Sequence, residues 1–484
     1  MIFNSINYFL FLLVVFIVYY LLPDRLRWII LLVASVCFYL IGGNAITLIV
    51  PAVIIVSTYC SGILIEKAEA PAKKKAYYLP GLLINVGLLA FFKYINFFII
   101  TAVQGVTLFR SLFGTVSYKM QPALITNLIV PLGISYITFQ AIGYLIEVNR
   151  GNGKAEKNIG LFATYLMFFP KLFSGPIEPS QMFLPQLKQP HKFDYTQIVT
   201  GLKRILWGLF LKLVVANRLA IYTDAVFYNY IHHSGGTILL ASIFFTIQLF
   251  ADFAGYTDMA IGSAQILGYK LIENFNTPFV AKSVTEFWRR WHISLSSWVN
   301  EYIYNPIVFT YRNWNKAGVV FAGMVTFIIL GFWHGPSWNY IFFGFLQGFI
   351  LAMEFLTRKL RKRIRGKIPV LLNNTLGIAF TFGYFTFASI FFKASNLSDG
   401  MHLVKRIFTK GGPIYYENPS MILFSILGVL MVLAVEIKKA NYNDRFSLFN
   451  NKNWLVRNFA YIAVIMLILI MGVFDGGQFI YFKF

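Results

Sequence analysis

The chain has 484 residues, 58% of them hydrophobic and only 13% charged, with a formal net charge of +23. A soluble chain of that length carries charged domain surfaces, which this composition does not supply. The positive excess also excludes a nucleic-acid-binding face. Its Lys and Arg residues cluster in short segments between apolar runs (73–75, 358–367, 438–439), as in the cytoplasmic loops of a membrane protein.

Phe, Tyr and Trp make up 18% of the residues, in part as interfacial belts. Cys37 and Cys60 fall inside apolar runs and read as two buried core thiols rather than a disulfide framework. The N-terminal stretch lacks a basic leader and a small-residue cleavage site, which predicts a retained first helix rather than a signal peptide. No polar block is large enough for a separate soluble domain, so residues 1–484 read as a single membrane domain.

Apolar runs of about twenty residues, the length that crosses a hydrocarbon core, recur along the chain. Residues 1–7 carry no side-chain charge, whereas Arg25 and Arg27 follow the first run (9–22), placing the N-terminus outside. A second run ends outside at 42–44, and 46–64 returns to the basic stretch 66–75. The region 78–103 crosses outward, and 124–147 leads back to Arg150, Lys154 and Lys157 inside. Seven of the ten residues 358–367 are Lys or Arg, which reads as an inside topology anchor, and 378–392 and 461–473 supply later spans. The total predicted is about 11–12 transmembrane helices in an all-α polytopic fold. Two stretches, 161–184 with its Phe169-Pro170 and Gly175-Pro176 pairs and 283–305 with Arg289, Arg290 and His292, are too broken or polar for simple spans. They read as re-entrant or half-depth helices buried in protein or lining a wet cavity. No inverted repeat relates the two halves, which weighs against a transporter.

Polar residues inside a membrane carry the functional information, because they are costly there. The first cluster is Gly331-Phe332-Trp333-His334-Gly335, closing the run 319–330. A desolvated, neutral imidazole acts as a base, and flanking Gly331 and Gly335 let a backbone or thin substrate approach; a helix-packing histidine is the alternative. The second is Glu286-Phe287-Trp288-Arg289-Arg290-Trp291-His292, followed by Ile-Ser-Leu-Ser. On a continuous helix His292 neighbours Arg289 and Trp288, and two guanidiniums among tryptophans suit phosphate; an interfacial helix with snorkelling Arg is the alternative. The third is 250–262, where Asp252 and Asp258 sit in apolar sequence and are expected to pair with Arg289 or Arg290, orient a histidine, or lock helix packing. His191, His402 and His232-His233 read as loop residues. The chain has no Gly-x-Ser-x-Gly elbow, Gly-Lys-Ser/Thr phosphate loop or His-Glu-x-x-His zinc motif, so no metal ligands are assigned.

At these residues the sequence resembles the membrane-bound O-acyltransferase (MBOAT) family, in its bacterial, alginate O-acetyltransferase-like branch. The resemblance rests on 92–97 (FKYINF), 131–151 (PLGISYITFQAIGYLIEVNRG), 169–177, 252–262, 273–278, 283–296 and 331–335, in family order, with a motif-bearing core over about 90–350. It implies helices around a central funnel in a bacterial inner membrane. It further implies His334 and His292 as the two signature histidines, with Trp333, Gly335, Asp252 and Asp258 shaping the funnel. Departures lie at the rim. The branch's Arg-Asp-Tyr and Pro-Leu-Gly-Gly stretches read Asn300-Glu301-Tyr302 and Asn305-Pro306-Ile307-Val308 here, and Phe343 to Gly348 replaces a Trp-Gly…His-Gly pattern.

The expected reaction is acetyl transfer from cytoplasmic acetyl-CoA towards an extracytoplasmic polysaccharide, with no resident cofactor. Arg289, Arg290, Trp288, Trp291 and Lys171 would hold the donor, His334 would serve as base or transient acetyl carrier, and His292 would orient the thioester. Expected partners are membrane lipid, the acyl donor and a separate outer acetyltransferase, with no nucleic acid. D-alanyl transfer to teichoic acid, lipid acylation, and a transporter or channel are the competing readings.

Overall fold

Membrane-spanning chains satisfy their backbone polar groups internally, and this one does so with helices. The computed structural model describes residues 3–112, 122–126, 128–442, 448–475 and 479–480. Among these the regular elements are helical, apart from one isolated antiparallel bridge, Phe275–Trp291. Nine helices among the described residues are long and apolar enough to cross a membrane, and Ile6–Leu21 and Ile159–Lys171 are shorter apolar helical segments. The fold is thus all-α and polytopic.

The 42-residue Pro71–Leu112 is continuous, but Ala90–Tyr94 winds as a π-helix, an insertion that turns Lys93 and Tyr94 inward together. Among the described residues of the expected return over 124–147, the helix runs from Ile134 to Arg150, after Gly133 adopts a left-handed φ of 67°. Cys37 and Cys60 are exposed on the outer faces of Asp24–Gly42 and Ala45–Lys67, not buried. Their helices bury other stripes, Phe38/Tyr39 and Ile54/Thr58, so the cysteines face the surface that lipid would cover.

Both interrupted stretches are broken as their sequence predicts. Ile159–Met167 gives way to a 3-10 turn at Phe169–Lys171 and irregular chain up to Ser180–Lys188, and 161–178 is almost wholly buried. Irregular backbone at this depth is enclosed by protein, as its unpaired groups require. The second stretch runs Val284–Arg290, Ile293–Val299, a π-turn Asn300–Tyr304, and Asn305–Thr310.

At the centre lies the 32-residue helix Gly235–Ile266, buried along most of its length. It packs against Tyr195–Leu209 through two glycine pairs in antiparallel register, Gly201 with Gly262 and Gly208 with Gly255. A Cβ on Gly208 would sit 2.6 Å from Gly255 O, and one on Gly262 would sit 2.6 Å from Gly201 O. Small residues at helical spacing are what let two helices approach this closely in lipid.

Candidate active site

His334 is the last residue of the helix Lys316–His334 and is 3% exposed. Its ring lies 4.9 Å from Trp333, 5.1 Å from Phe392 and 6.3 Å from Phe343, centroid to centroid. The two flanking glycines serve packing rather than substrate access. A Cβ on Gly331 would strike Tyr340 O and lie 2.8 Å from Gly344 Cα, and one on Gly335 would strike the Tyr340 ring. They pin this helix to Trp338–Leu356, which fixes His334 in its aromatic box.

His292 does not continue a helix, so the expected stacking on Arg289 and Trp288 is replaced by a sharp turn. Val284–Arg290 stops, Trp291 is extended, and His292 takes a left-handed φ of 45° before Ile293–Val299 begins. Such a conformation persists in a non-glycine residue only when its surroundings hold it. Here the segment 274–277 does so. Ile293 N donates to Asn274 O (2.9 Å), Ser294 N to Asn274 Oδ1 (3.1 Å), Asn276 N to Arg290 O (2.9 Å), and Arg290 to Thr277 Oγ1 (2.7 Å). The turn aims His292, 1% exposed, at Phe253 (4.6 Å) and at Trp333 (6.2 Å). Trp333 therefore touches both histidines, which lie 42 positions apart in sequence.

Asp252 and Asp258 pair with neither Arg289 nor Arg290. Asp252 Oδ1 accepts from Lys212 Nζ at 2.6 Å and its Oδ2 from Ile480 N at 2.7 Å, whereas Asp258 faces Arg204 at 3.3 Å. Arg204 also reaches Glu273 at 2.6 Å. Lys212 and Arg204 come from Phe210–Ala216 and Tyr195–Leu209, so both acids lock the central helix to its neighbour. Sequence reasoning missed these two cations because nothing in their apolar surroundings links them to acids some forty to fifty positions later.

A cavity of about 980 Å³ opens between the segments 283–304, 319–330 and 351–365, and neither His292 nor His334 is in its lining. Its inner wall reaches Ile293, next to His292, and Leu330, one helical turn before His334. Of the expected donor residues, Arg289 and Trp288 line it. Arg290 instead pairs with Glu286 (2.8 Å), Trp291 is 2% exposed among Phe287, Phe275 and Phe385, and Lys171 is fully buried against Gln140, Tyr165 and Phe183. At the mouth stand Arg358, Arg361, Lys362 and Arg365, from the basic helix Arg358–Arg365. The segment read as a topology anchor thus also makes this opening cationic. Glu354, the one carboxylate in the lining, is engaged by Val284 N, Thr285 N and Thr285 Oγ1 at 2.7–3.1 Å and by Arg361 at 3.5 Å.

The profile of the MBOAT, membrane-bound O-acyltransferase family, matches residues 158–395. A probable alginate O-acetylase AlgI of Pseudomonas aeruginosa is 33% identical over 422 residues, 85% of this chain and 75% of the relative. The chain belongs to the membrane-bound O-acyltransferase family. A peptidoglycan O-acetyltransferase of Helicobacter pylori is 31% identical over 72% of this chain and 68% of its own length. A teichoic acid D-alanyltransferase of Bacillus subtilis is 31% identical over 55% of this chain and 69% of its own. As an MBOAT protein the chain is a multi-pass membrane O-acyltransferase. The matched region contains both histidines and the cationic cavity.

Proposed function

We propose that this protein transfers acetyl from cytoplasmic acetyl-CoA through the bacterial inner membrane towards an extracytoplasmic polysaccharide, with His334 as the general base. The observation that carries this reading is the cationic cavity whose inner wall reaches Ile293, next in sequence to His292, and Leu330, one helical turn before His334. Arg289, Arg358, Arg361, Lys362 and Arg365 suit the phosphates of CoA, and a volume of about 980 Å³ suits a large ligand. Thr326 is among the residues lining the same cavity, and its buried Oγ1 has no hydrogen-bond partner among the described residues. Arg290 and Trp291 support the His292 turn rather than the donor.

In the reaction an acceptor hydroxyl gives its proton to His334, and its oxygen attacks the thioester carbon. The C–S bond then breaks, and the CoA sulfur recovers the proton from His334. A thioester is already activated, so the protein supplies position, a base and exclusion of water. His292, across Trp333, orients the thioester. The acceptor side faces out, because Lys316–His334 runs from the cationic face to the opposite one. A second cavity of about 400 Å³, lined by Thr101, Gln104, Ser337, Trp338 and Asn396, lies beyond Gly335. Its hydroxyls, amides and indole suit a polyol or the carrier residue of an outer acetyltransferase that passes the group to the glycan.

The test uses purified protein in liposomes with radiolabelled acetyl-CoA inside. Wild type releases or transfers acetyl, while His334→Ala falls by at least a hundredfold. Unchanged turnover in His334→Ala sinks the reading. Turnover with a D-alanyl carrier protein but not with acetyl-CoA reassigns the donor.

A further inference from the structure

The motif 92–97 has no part in the chemistry above, yet it places an ammonium beside the histidine helix. Lys93 lies on the π-helix Ala90–Tyr94 and is half-buried. Its Nζ donates to Trp333 O at 2.6 Å and to Ser135 Oγ at 3.2 Å, and lies 5.4 Å from the Trp333 ring centroid. Tyr94 OH donates to the same carbonyl at 3.2 Å, and its ring stacks on Phe332 at 4.3 Å.

That carbonyl is not an arbitrary acceptor. It belongs to the peptide unit that joins Trp333 to His334, in the last turn of Lys316–His334, where carbonyls have no partner within the helix. Phe332 O is met by Gly335 N at 3.2 Å. The next carbonyl, Trp333 O, is met by two side chains from a different span. Cations at a helix C-terminus are favoured by the helix dipole as well as by the hydrogen bond. An α-helical register through 90–94 advances each residue by about 100°; the wider π-turn brings consecutive Lys93 and Tyr94 onto one acceptor.

We propose that Lys93, assisted by Tyr94, is a positioning residue for His334. It clamps the Trp333–His334 peptide and the Trp333 ring, and so sets the direction in which the imidazole meets the acceptor hydroxyl. This rests on the reading of His334 as the base. Lys93 is outside the lining of the cationic cavity, so its removal acts on turnover and not on donor capture.

The experiment measures kcat and the KM for acetyl-CoA with the full chain in liposomes, for wild type, K93M, K93R, Y94F and H334A. K93M is expected to lose at least tenfold in kcat with KM within twofold, K93R to retain more turnover than K93M, and Y94F to lose two- to fivefold in kcat. A K93M kcat within twofold of wild type, or a loss that appears in KM alone, overturns the proposal. If K93M does not fold, Y94F decides: an unchanged kcat overturns it and a lowered kcat at constant KM supports it. H334A separates the two readings. An active H334A removes the base assignment and the proposal with it, whereas an inactive H334A with a normal K93M removes the proposal alone.

Discussion

Lys212 Nζ lies 2.6 Å from Asp252 Oδ1, and the two side chains are only 2% and 3% exposed. Removing one partner of such a pair strands a charge in a low-dielectric interior, a loss of about 3–5 kcal/mol. Lys212→Met is therefore expected to lower the thermal stability of the detergent-purified protein sharply. The double variant Lys212→Met/Asp252→Leu recovers much of it, because no charge is left behind. Melting curves of the three proteins test this; a double variant less stable than Lys212→Met contradicts it.

The cationic mouth predicts a donor-specific defect. Arg358 and Lys362 are exposed at the cavity rim, and charge-assisted contacts to phosphate contribute about 1.5–3 kcal/mol each. Arg358→Gln/Lys362→Gln should raise the KM for acetyl-CoA by at least about tenfold while kcat changes little. Added salt should weaken the wild type towards the variant, since exposed charges are screened. A KM that does not move assigns the basic helix to topology alone.

Close helix approach at the central crossing makes it intolerant of bulk. A methyl group on Gly208 would meet Gly255 O at 2.6 Å and Met259 Cγ at 2.8 Å. Overpacking of this kind costs about 1–3 kcal/mol. Gly208→Ala should lower the melting temperature and Gly208→Val more so, whereas Gly323→Ala, with open space at its Cβ, should be neutral. Equal melting temperatures for all three would show that the crossing relaxes.

Asn274 ties the His292 turn through Ser294 N at 3.1 Å. Asn274→Ala leaves that buried amide without its acceptor, a loss of about 1–3 kcal/mol, and frees the strained turn. The expected result is a kcat reduced by roughly tenfold for acetyl transfer, partly restored in Asn274→Asp, which keeps the acceptor oxygen. Steady-state assays in liposomes check it, and wild-type kcat in Asn274→Ala rules it out.

Much of this was legible in the residues alone. Apolar runs separated by basic turns dictate helices across a bilayer, because hydrocarbon leaves an unpaired backbone no other form. Pro170, Gly175 and Pro176 announce one break in those helices, and Arg289, Arg290 and His292 announce the other by their polarity. His334 stood out as a titratable group at the end of an apolar run, and family resemblance singled out His292 as its companion. Apart from the family resemblance, these are local properties of composition and spacing, readable without knowing what packs against what.

Tertiary structure decided the pairings. Asp252 and Asp258 found Lys212 and Arg204 rather than Arg289 and Arg290, because partners in a membrane interior are chosen by which helices cross, here at the glycine pairs. His292 left the helical register because 274–277 hold the chain in a turn, through backbone bonds and the side chains of Asn274 and Thr277, contacts that no local sequence pattern announces. Cys37 and Cys60 lie on outward faces since apolar residues suit both lipid and core, and sequence does not separate the two environments. The basic stretch 358–367 was equally plain as an anchor, but only folding brought it to the mouth of the cavity beside Arg289. The sequence by itself determined that this protein lives in a membrane and marked two histidines as candidates; the fold decided what holds those histidines and where the cationic cavity opens.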